Sequence, residues 1–200
     1  MSDKYFFSAC VLLGTFLVLM ALSPWSDRLP TGAMSAANLN AHDLLIADRD
    51  LNRFEAGEVG KVSLKEQDGA FMLDVGVQEG QLYDAPTFGP HLRLEADVER
   101  TYAKNTLNIT ITARHSKAYQ PKNADDKMQF EVNYAANASE TSGWEKFDLT
   151  PDFAEYSFQY RPPGAGDGIG NDFLAIRPSS NSTAYKVIVK SIRFQIMPAN

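Results

Sequence analysis

Apolar residues recur at every second position through much of this chain, and this alternation constrains its fold more than any other feature. In residues 107–114, for example, Leu107, Ile109 and Ile111 are separated by polar residues. Similar runs cover residues 71–77, 92–99, 128–134, 156–160, 173–176 and 185–197. A period of two is typical of strands that have one face in a core and the other in water. The pattern therefore predicts an all-β, two-sheet sandwich over residues 44–200.

The last of these runs changes phase near its middle. Tyr185, Val187 and Val189 are apolar at odd positions, whereas Ile192 and Phe194 continue the pattern at even positions. One extra residue in a strand produces such a shift, because it moves every later side chain to the other face. The sequence therefore predicts a β-bulge near residues 190–191.

The N-terminus carries a second strong pattern. Residues 5–22 read YFFSACVLLGTFLVLMAL and contain no charged side chain. A transmembrane helix needs about 20 predominantly apolar residues, so residues 1–25 are predicted to be a transmembrane anchor. A cleaved signal peptide is the alternative, although its apolar region is usually about 7–15 residues long. Residues 26–43 are small and polar, and they predict a spacer between the anchor and the domain.

The charges beside the apolar run predict its orientation. Lys4 and the terminal amine precede the run, whereas only Arg28 follows it closely. Cytoplasmic flanks of membrane helices are enriched in Lys and Arg. The domain is therefore expected to be membrane-anchored and to lie outside the cytoplasm, in the periplasm if the protein is bacterial.

Composition excludes several classes of site. The chain has 200 residues and a formal net charge of −6, which argues against a nucleic-acid partner, because such surfaces need clustered Lys and Arg. Its single cysteine, Cys10, lies in the apolar run, so the domain has no disulfide and no cysteine-based zinc site. His42, His91 and His115 are scattered and form no zinc motif. We therefore predict no cofactor and no metal.

The glycine-rich segment at residues 164–172 has two interpretations, a structural calcium site or a connection between two strands. Asp167, Asn171 and Asp172 carry oxygen ligands of the kind that calcium prefers. Their spacing fits no standard calcium loop, and a connection between two strands is the preferred interpretation.

Several segments together resemble the jelly-roll, galactose-binding-like domains that serve as carbohydrate-binding modules. They are the strands LNITITARHS and MQFEVNYAA, the segment WEKFDL, the strand EYSFQYRPP, the segment DFLAIRP and the closing strand VIVKSIRFQIM. The resemblance implies a jelly-roll fold and a glycan ligand. Many such modules place an Asp, associated with a structural calcium ion, where this chain has Lys190 and Ser191.

Candidate ligand-binding residues are outward-facing or loop side chains that stack on a sugar or hydrogen-bond to its hydroxyl groups. They are Tyr119, Trp144, Arg114, Gln129, Glu131, Asn133 and Arg177. Trp144 has a second interpretation, as a core residue. The polar residues of strand 128–134, set beside Thr110, Thr112 and Arg114, form either the floor of a binding face or a solvated sheet surface.

The triplet Glu95, Asp97 and Glu99 resembles the carboxylate motif of laminarinase-like retaining glycosidases. Retention requires two carboxyl groups about 5–5.5 Å apart, whereas the Cα atoms of strand residues four apart are separated by about 13 Å. A solvent-facing strand of alternating charge is the simpler interpretation. The domain is accordingly predicted to be non-catalytic.

Three functions follow from these patterns. The leading one is a non-catalytic, membrane-tethered β-sandwich that binds glycan or an envelope partner outside the cytoplasm. The alternative is an accessory subunit of a larger membrane complex, in which small residues such as Ser8, Ala9 and Gly14 let the N-terminal helix pack on partner helices. The third is an anchored glycosidase that uses Glu95 and Glu99.

Overall fold

Two antiparallel β-sheets form the body of the protein. The computed structural model describes residues 3–22, 28–37, 39–78, 83–116, 127–136, 140–164, 171–179 and 185–198. Its helices are α1 (Asp3–Leu22) and α2 (Ala96–Tyr102), with short 3-10 helices at Asp48–Arg53 and Pro86–Phe88. Its strands are β1 (Asp43–Ala47), β2 (Gly60–Gln67), β3 (Ala70–Val77), β4 (His91–Leu94), β5 (Leu107–His115), β6 (Gln129–Ala136), β7 (Glu140–Thr141), β8 (Glu145–Asp148), β9 (Ala154–Tyr160), β10 (Asp172–Pro178) and β11 (Val187–Ile196).

The sheets have six and five strands among the described residues. The six-stranded sheet has the order β2-β3-β11-β5-β9, and β1 also pairs with β11. The five-stranded sheet has the order β4-β10-β6, and both β7 and β8 pair with β6. Each sheet turns one face toward the shared core, as strands with a period of two require. The predicted all-β, two-sheet sandwich is therefore confirmed.

The predicted bulge lies in β11. Val189 pairs with Ala113 of β5, and Ser191 pairs with the adjacent Thr112, so Lys190 has no partner in the register. The bulge divides β11 into two parts that pair with different strands on its other edge. The part before the bulge pairs with β3, and the part after it pairs with β1.

Aromatic side chains fill one end of the core. Tyr134, Tyr102 and Phe194 are fully buried, with ring centroids 5.7 Å apart for Tyr102 and Phe194 and 6.4 Å apart for Tyr134 and Phe194. The Tyr134 hydroxyl donates a hydrogen bond of 2.5 Å to Asp172. Burial raises the pKa of Tyr134 well above its ordinary value, so this hydrogen-bond donor keeps its proton. The core also includes Met34, which lies in the predicted spacer and is 2% exposed.

The strand predicted over residues 92–99 is wrong beyond Leu94. β4 ends there and Ala96–Tyr102 forms helix α2, with Glu95 at its N-cap. The helix buries Val98 and Tyr102, which are four residues apart and are both fully buried. Residues at this spacing share one helix face, so Val98 fits a helical pattern as well as the alternation that suggested a strand.

The predicted transmembrane helix is not found. Residues 3–22 do form a single helix, and its first two positions are the charged residues Asp3 and Lys4. In the part of the chain that the structure describes, no helix is both long enough and apolar enough to cross a membrane.

Candidate functional site

The candidate site lies on the outer face of the five-stranded sheet. In β6, Phe130 and Val132 point into the core, so Glu131 and Asn133 lie on the opposite face. Arg177 of β10 is the register partner of Glu131. All three polar side chains are nevertheless buried, with exposed fractions of 7% for Glu131, 2% for Asn133 and 6% for Arg177. This outer face is therefore covered, and the covering residues define the site.

A buried ion pair stands at its centre. The Nε and Nη2 atoms of Arg177 each lie 2.7 Å from Oε2 of Glu131. The other carboxylate oxygen, Oε1, lies 3.1 Å from Nζ of Lys146 on β8. The Glu131 carboxylate is thus paired with two cations, and the three side chains together carry a net charge of +1. Buried charges need such partners, because leaving water costs each ion several kcal/mol.

Two aromatic rings enclose the guanidinium group. The Cζ atom of Arg177 lies 3.8 Å from the ring centroid of Trp144 and 5.2 Å from that of Tyr83. The two rings meet edge to face, with centroids 5.8 Å apart. Cation–π contact and the ion pair together fix the position of Arg177.

The segment Tyr83–Gly89 covers this part of the sheet and is here called the cover segment. Its 3-10 helix packs on β10 and β6, and Pro86 is buried. The Trp144 indole N–H donates a hydrogen bond of 3.1 Å to the carbonyl of Asp84. The Tyr83 ring lies directly on Gly89, where a Cβ atom would fall 1.9 Å from the Cζ atom of Tyr83. The absence of a side chain at Gly89 therefore lets the Tyr83 ring approach the backbone of the segment closely.

Three buried polar atoms of the site have no hydrogen-bond partner among the described residues. They are Oη of Tyr83, Oδ1 of Asn133 and Nη1 of Arg177. Buried polar atoms are normally paired, so a group of them on one face calls for a further partner, and water or a ligand can supply it. Burial raises the pKa of Tyr83 far above its ordinary value. The site therefore offers a guanidinium donor, an amide acceptor and a neutral hydroxyl that can do both.

The structure brings four of the seven predicted site residues together. Trp144, Glu131, Asn133 and Arg177 form the site described above, and Trp144 contacts the outer face and not the core. Gln129 lies on the same face at its edge, where its amide donates a 2.6 Å hydrogen bond to Asp148.

Of the remaining two predicted residues, only Arg114 is described, and it is not part of the site. Arg114 lies on β5 in the opposite sheet, with its Cζ atom 5.0 Å from the ring centroid of Phe153. Tyr119 lies outside the described residues. The predicted polar surface that joined strand 128–134 to Thr110 and Thr112 is wrong, because β6 and β5 belong to different sheets.

Two residues of the site were missed in the sequence. Lys146 was detectable, because it is two positions after Trp144 in a segment whose alternate residue, Phe147, packs on the core. Tyr83 was not detectable in the sequence, since it lies between strands in a segment whose apolar residues do not recur at a regular interval.

The predicted carboxylate motif does not form. Because residues 96–102 are helical, Glu95 is an exposed N-cap residue while Glu99 is 3% exposed inside the domain. The two carboxyl groups therefore do not share a strand face, which removes the basis of the retaining-glycosidase hypothesis. Among the described residues, no three His, Cys, Asp or Glu side chains are grouped so as to hold a metal ion.

Comparison with known proteins gives structural neighbours only. No protein-family model and no curated protein sequence matches the chain. The chain is similar to the CBM22-1 xylan-binding domain of Paenibacillus barcinonensis Xyn10C, with 13% identity and a TM-score of 0.48 over 74% of this chain and 87% of that one. It is also similar to a CBM4 structure, with 11% identity and a TM-score of 0.47 over 70% of this chain and 94% of that one.

A third neighbour is a variant of the family 29 carbohydrate-binding module CBM29-2. Its identity is 10% and its TM-score is 0.43, over 76% of this chain and 84% of that one. These neighbours are carbohydrate-binding modules, as the resemblance in the sequence implied. Since each TM-score is below 0.5, the function proposed below depends on the residues of this chain alone.

Proposed function

We propose that the outer face of the five-stranded sheet is a non-catalytic carbohydrate-binding site. The observation that carries this proposal is a group of three buried polar atoms, on Tyr83, Asn133 and Arg177, that have no hydrogen-bond partner among the described residues and lie next to the aromatic ring of Trp144. Water or a ligand can satisfy such atoms, and the combination of polar atoms and rings favours a ligand that has both hydroxyl groups and an apolar face.

A sugar ring meets both requirements. Its hydroxyl groups donate and accept hydrogen bonds, which matches a site with a donor, an acceptor and a phenol. The C–H bonds on one face of the ring carry a small positive charge, which is attracted to the negative face of an aromatic ring. Trp144 is only half-buried, so part of its indole is open to such stacking.

Ligand entry requires a local movement. The three polar atoms are buried, and the Tyr83 side chain that lies beside them is 8% exposed. We propose that the sugar displaces the Tyr83 ring from above Arg177 while Glu131 keeps the guanidinium in place through its two contacts. The ion pair of Arg177 and Glu131 thus stays in place while the Tyr83 side chain moves.

Replacing Trp144 by Ala tests the proposal. In affinity electrophoresis of the full chain in mild detergent against xylan, β-glucan, mannan and galactan, we expect retardation by at least one polysaccharide. Trp144→Ala should weaken that binding at least tenfold, equivalent to about 1.4 kcal/mol, because the stacking surface is lost. Trp144→Phe should retain part of it.

Arg114→Ala is the matched control, because Arg114 also contacts an aromatic ring but lies on the opposite sheet. It should bind as the unchanged protein does, and both variants should keep the thermal unfolding profile of a folded domain. Absence of binding to every polysaccharide, or equal binding by Trp144→Ala, would contradict the proposal.

A second candidate function rests on helix α1. Its described large apolar side chains are exposed, from 55% at Val18 to 73% at Tyr5. Exposed apolar surface of this extent marks an interaction site, and we propose that apolar helices of partner proteins cover it, which would make the protein an accessory subunit. Purification in mild detergent should then recover partner proteins at a fixed ratio, and recovery of the chain alone would oppose this role. The location outside the cytoplasm stays a prediction for cell fractionation to test.

A further inference from the structure

A groove that contains no residue of the cover segment lies at the end of the six-stranded sheet, where β5 begins and where β9 and β11 end. Its volume is about 710 Å³. Its lining residues are Lys104, Asn105, Thr106, Gln159, Arg161, Met197 and Pro198. Two of these side chains are cationic and none is acidic. The groove is therefore positively charged, whereas the chain as a whole has a formal net charge of −6.

Two hydrogen bonds link the segments that carry the two cations. The Nε atom of Arg161 donates a hydrogen bond of 2.9 Å to the carbonyl of Lys104. The N–H of Lys104 donates in turn to the carbonyl of Pro162, at 3.1 Å. The two residues are thereby linked although they lie 57 positions apart. Both side chains are exposed, and neither has a carboxylate within 4.0 Å among the described residues.

Lys104 has an unusual backbone conformation. Its φ angle is +63°, in the left-handed region that residues with a Cβ atom rarely adopt. Its side chain runs over Gly164, where a Cβ atom would lie 2.7 Å from Cε of Lys104. The backbone conformation and this close passage together direct the lysine chain along the groove. Strained residues of this kind cluster at binding sites.

The remaining lining residues indicate a hydroxylated ligand. Asn105, Thr106 and Gln159 supply amide and hydroxyl groups, while Met197 and Pro198 supply an apolar surface. The N–H of Met197 donates to the carbonyl of Thr106 at 2.8 Å, which holds the two sides of the groove together. A simple inorganic anion would need only the two cations, and it would not use these amide, hydroxyl and apolar groups.

We propose that this groove is a second binding site, specific for an acidic saccharide whose carboxylate or sulfate group lies between Lys104 and Arg161. The guanidinium nitrogens Nη1 and Nη2 bind the oxyanion as a fork, and the lysine adds a second positive charge. The sugar ring then lies against Met197. The site does not depend on the binding function proposed for the outer face of the five-stranded sheet.

The test uses a variant that removes both charges and is compatible with the backbone. Lys104→Asn/Arg161→Gln is suitable because Asn tolerates the left-handed conformation. A matched control, Lys61→Gln/Lys190→Gln, removes two charges from exposed lysines of the same sheet. Both variants and the unchanged full chain are titrated with polygalacturonate, dextran sulfate and uncharged dextran, at low and at high salt.

We expect the unchanged chain to bind polygalacturonate, dextran sulfate or both, and to bind less tightly at high salt. The groove variant should bind at least tenfold more weakly, whereas the control and Trp144→Ala should bind as the unchanged chain does. Binding of only one polymer identifies the oxyanion as carboxylate or sulfate. Equal weakening in the groove variant and the control, or no binding to either acidic polymer, overturns the proposal. Loss of neutral-polysaccharide binding in Trp144→Ala reports on the other site separately.

Discussion

Arg177→Met is expected to destabilise the domain by about 3 kcal/mol, because it leaves the buried carboxylate of Glu131 without its principal partner. Both Arg177 and Glu131 are less than 10% exposed. Lys146 still contacts the carboxylate at 3.1 Å, which places the expected loss at the lower end of the range for a broken buried pair. Chemical denaturation measures the free energy of unfolding.

Two comparisons show whether the ion pair itself is responsible. Adding Glu131→Gln to Arg177→Met removes the unpaired charge and should recover more than half of the lost stability. Lys127→Met breaks a pair of similar length, 2.6 Å to Asp148, that is exposed to solvent, and it should leave the free energy of unfolding essentially unchanged. If Arg177→Met costs no more than Lys127→Met, the ion pair does not stabilise the site.

Gly57→Ala is expected to destabilise the protein by about 2–5 kcal/mol through two additive causes. Gly57 has a φ angle of +67°, which costs a residue with a Cβ atom about 1–2 kcal/mol. Its Cβ atom would also fall 2.5 Å from the carbonyl oxygen of Phe88 and 2.6 Å from that of Gly89. Forcing extra atoms into packed structure costs about 1–3 kcal/mol, and here backbone atoms must move.

The clash in Gly57→Ala falls on the cover segment, so the variant should also weaken polysaccharide binding. Gly69→Ala separates the two causes, because Gly69 has a φ angle of +77° and no atom within 4 Å of its Cβ position. It should lose only the stability that the backbone strain costs and should bind normally. Equal losses of stability in the two variants, with binding retained in both, would show that Gly57 does not support the cover segment.

The sandwich was predictable because alternation in a strand is a local property. The strands at residues 107–114 and 128–134 could each be predicted from their own sequence. The bulge at Lys190 could be predicted because the apolar residues change from odd to even positions there. The order of strands in the sheets is not local. β5 and β6 follow each other in sequence, yet they lie in opposite sheets, and no pattern within either strand determines this.

The site was predictable in part for the same reason. Glu131 and Asn133 were identified because they alternate with core residues, and Trp144 and Arg177 were identified from their chemistry. That all four lie together depends on the pairing of β6 with β8 and β10. Tyr83 reaches the site through the path of the cover segment over the sheet, which the sequence of a segment without a period does not reveal.

The central claim is that the outer face of the five-stranded sheet binds sugar, and a measurement that locates the bound sugar tests it most directly. The chain has two tryptophans, Trp25 and Trp144, so a spectrum of the ¹⁵N-labelled protein contains two indole N–H signals. The Trp144→Phe variant identifies the signal of Trp144. In a titration with an oligosaccharide of the neutral polysaccharide that binds, we predict that this signal shifts together with the side-chain amide of Asn133. Saturable binding that leaves both signals unmoved would place the sugar elsewhere and contradict the account.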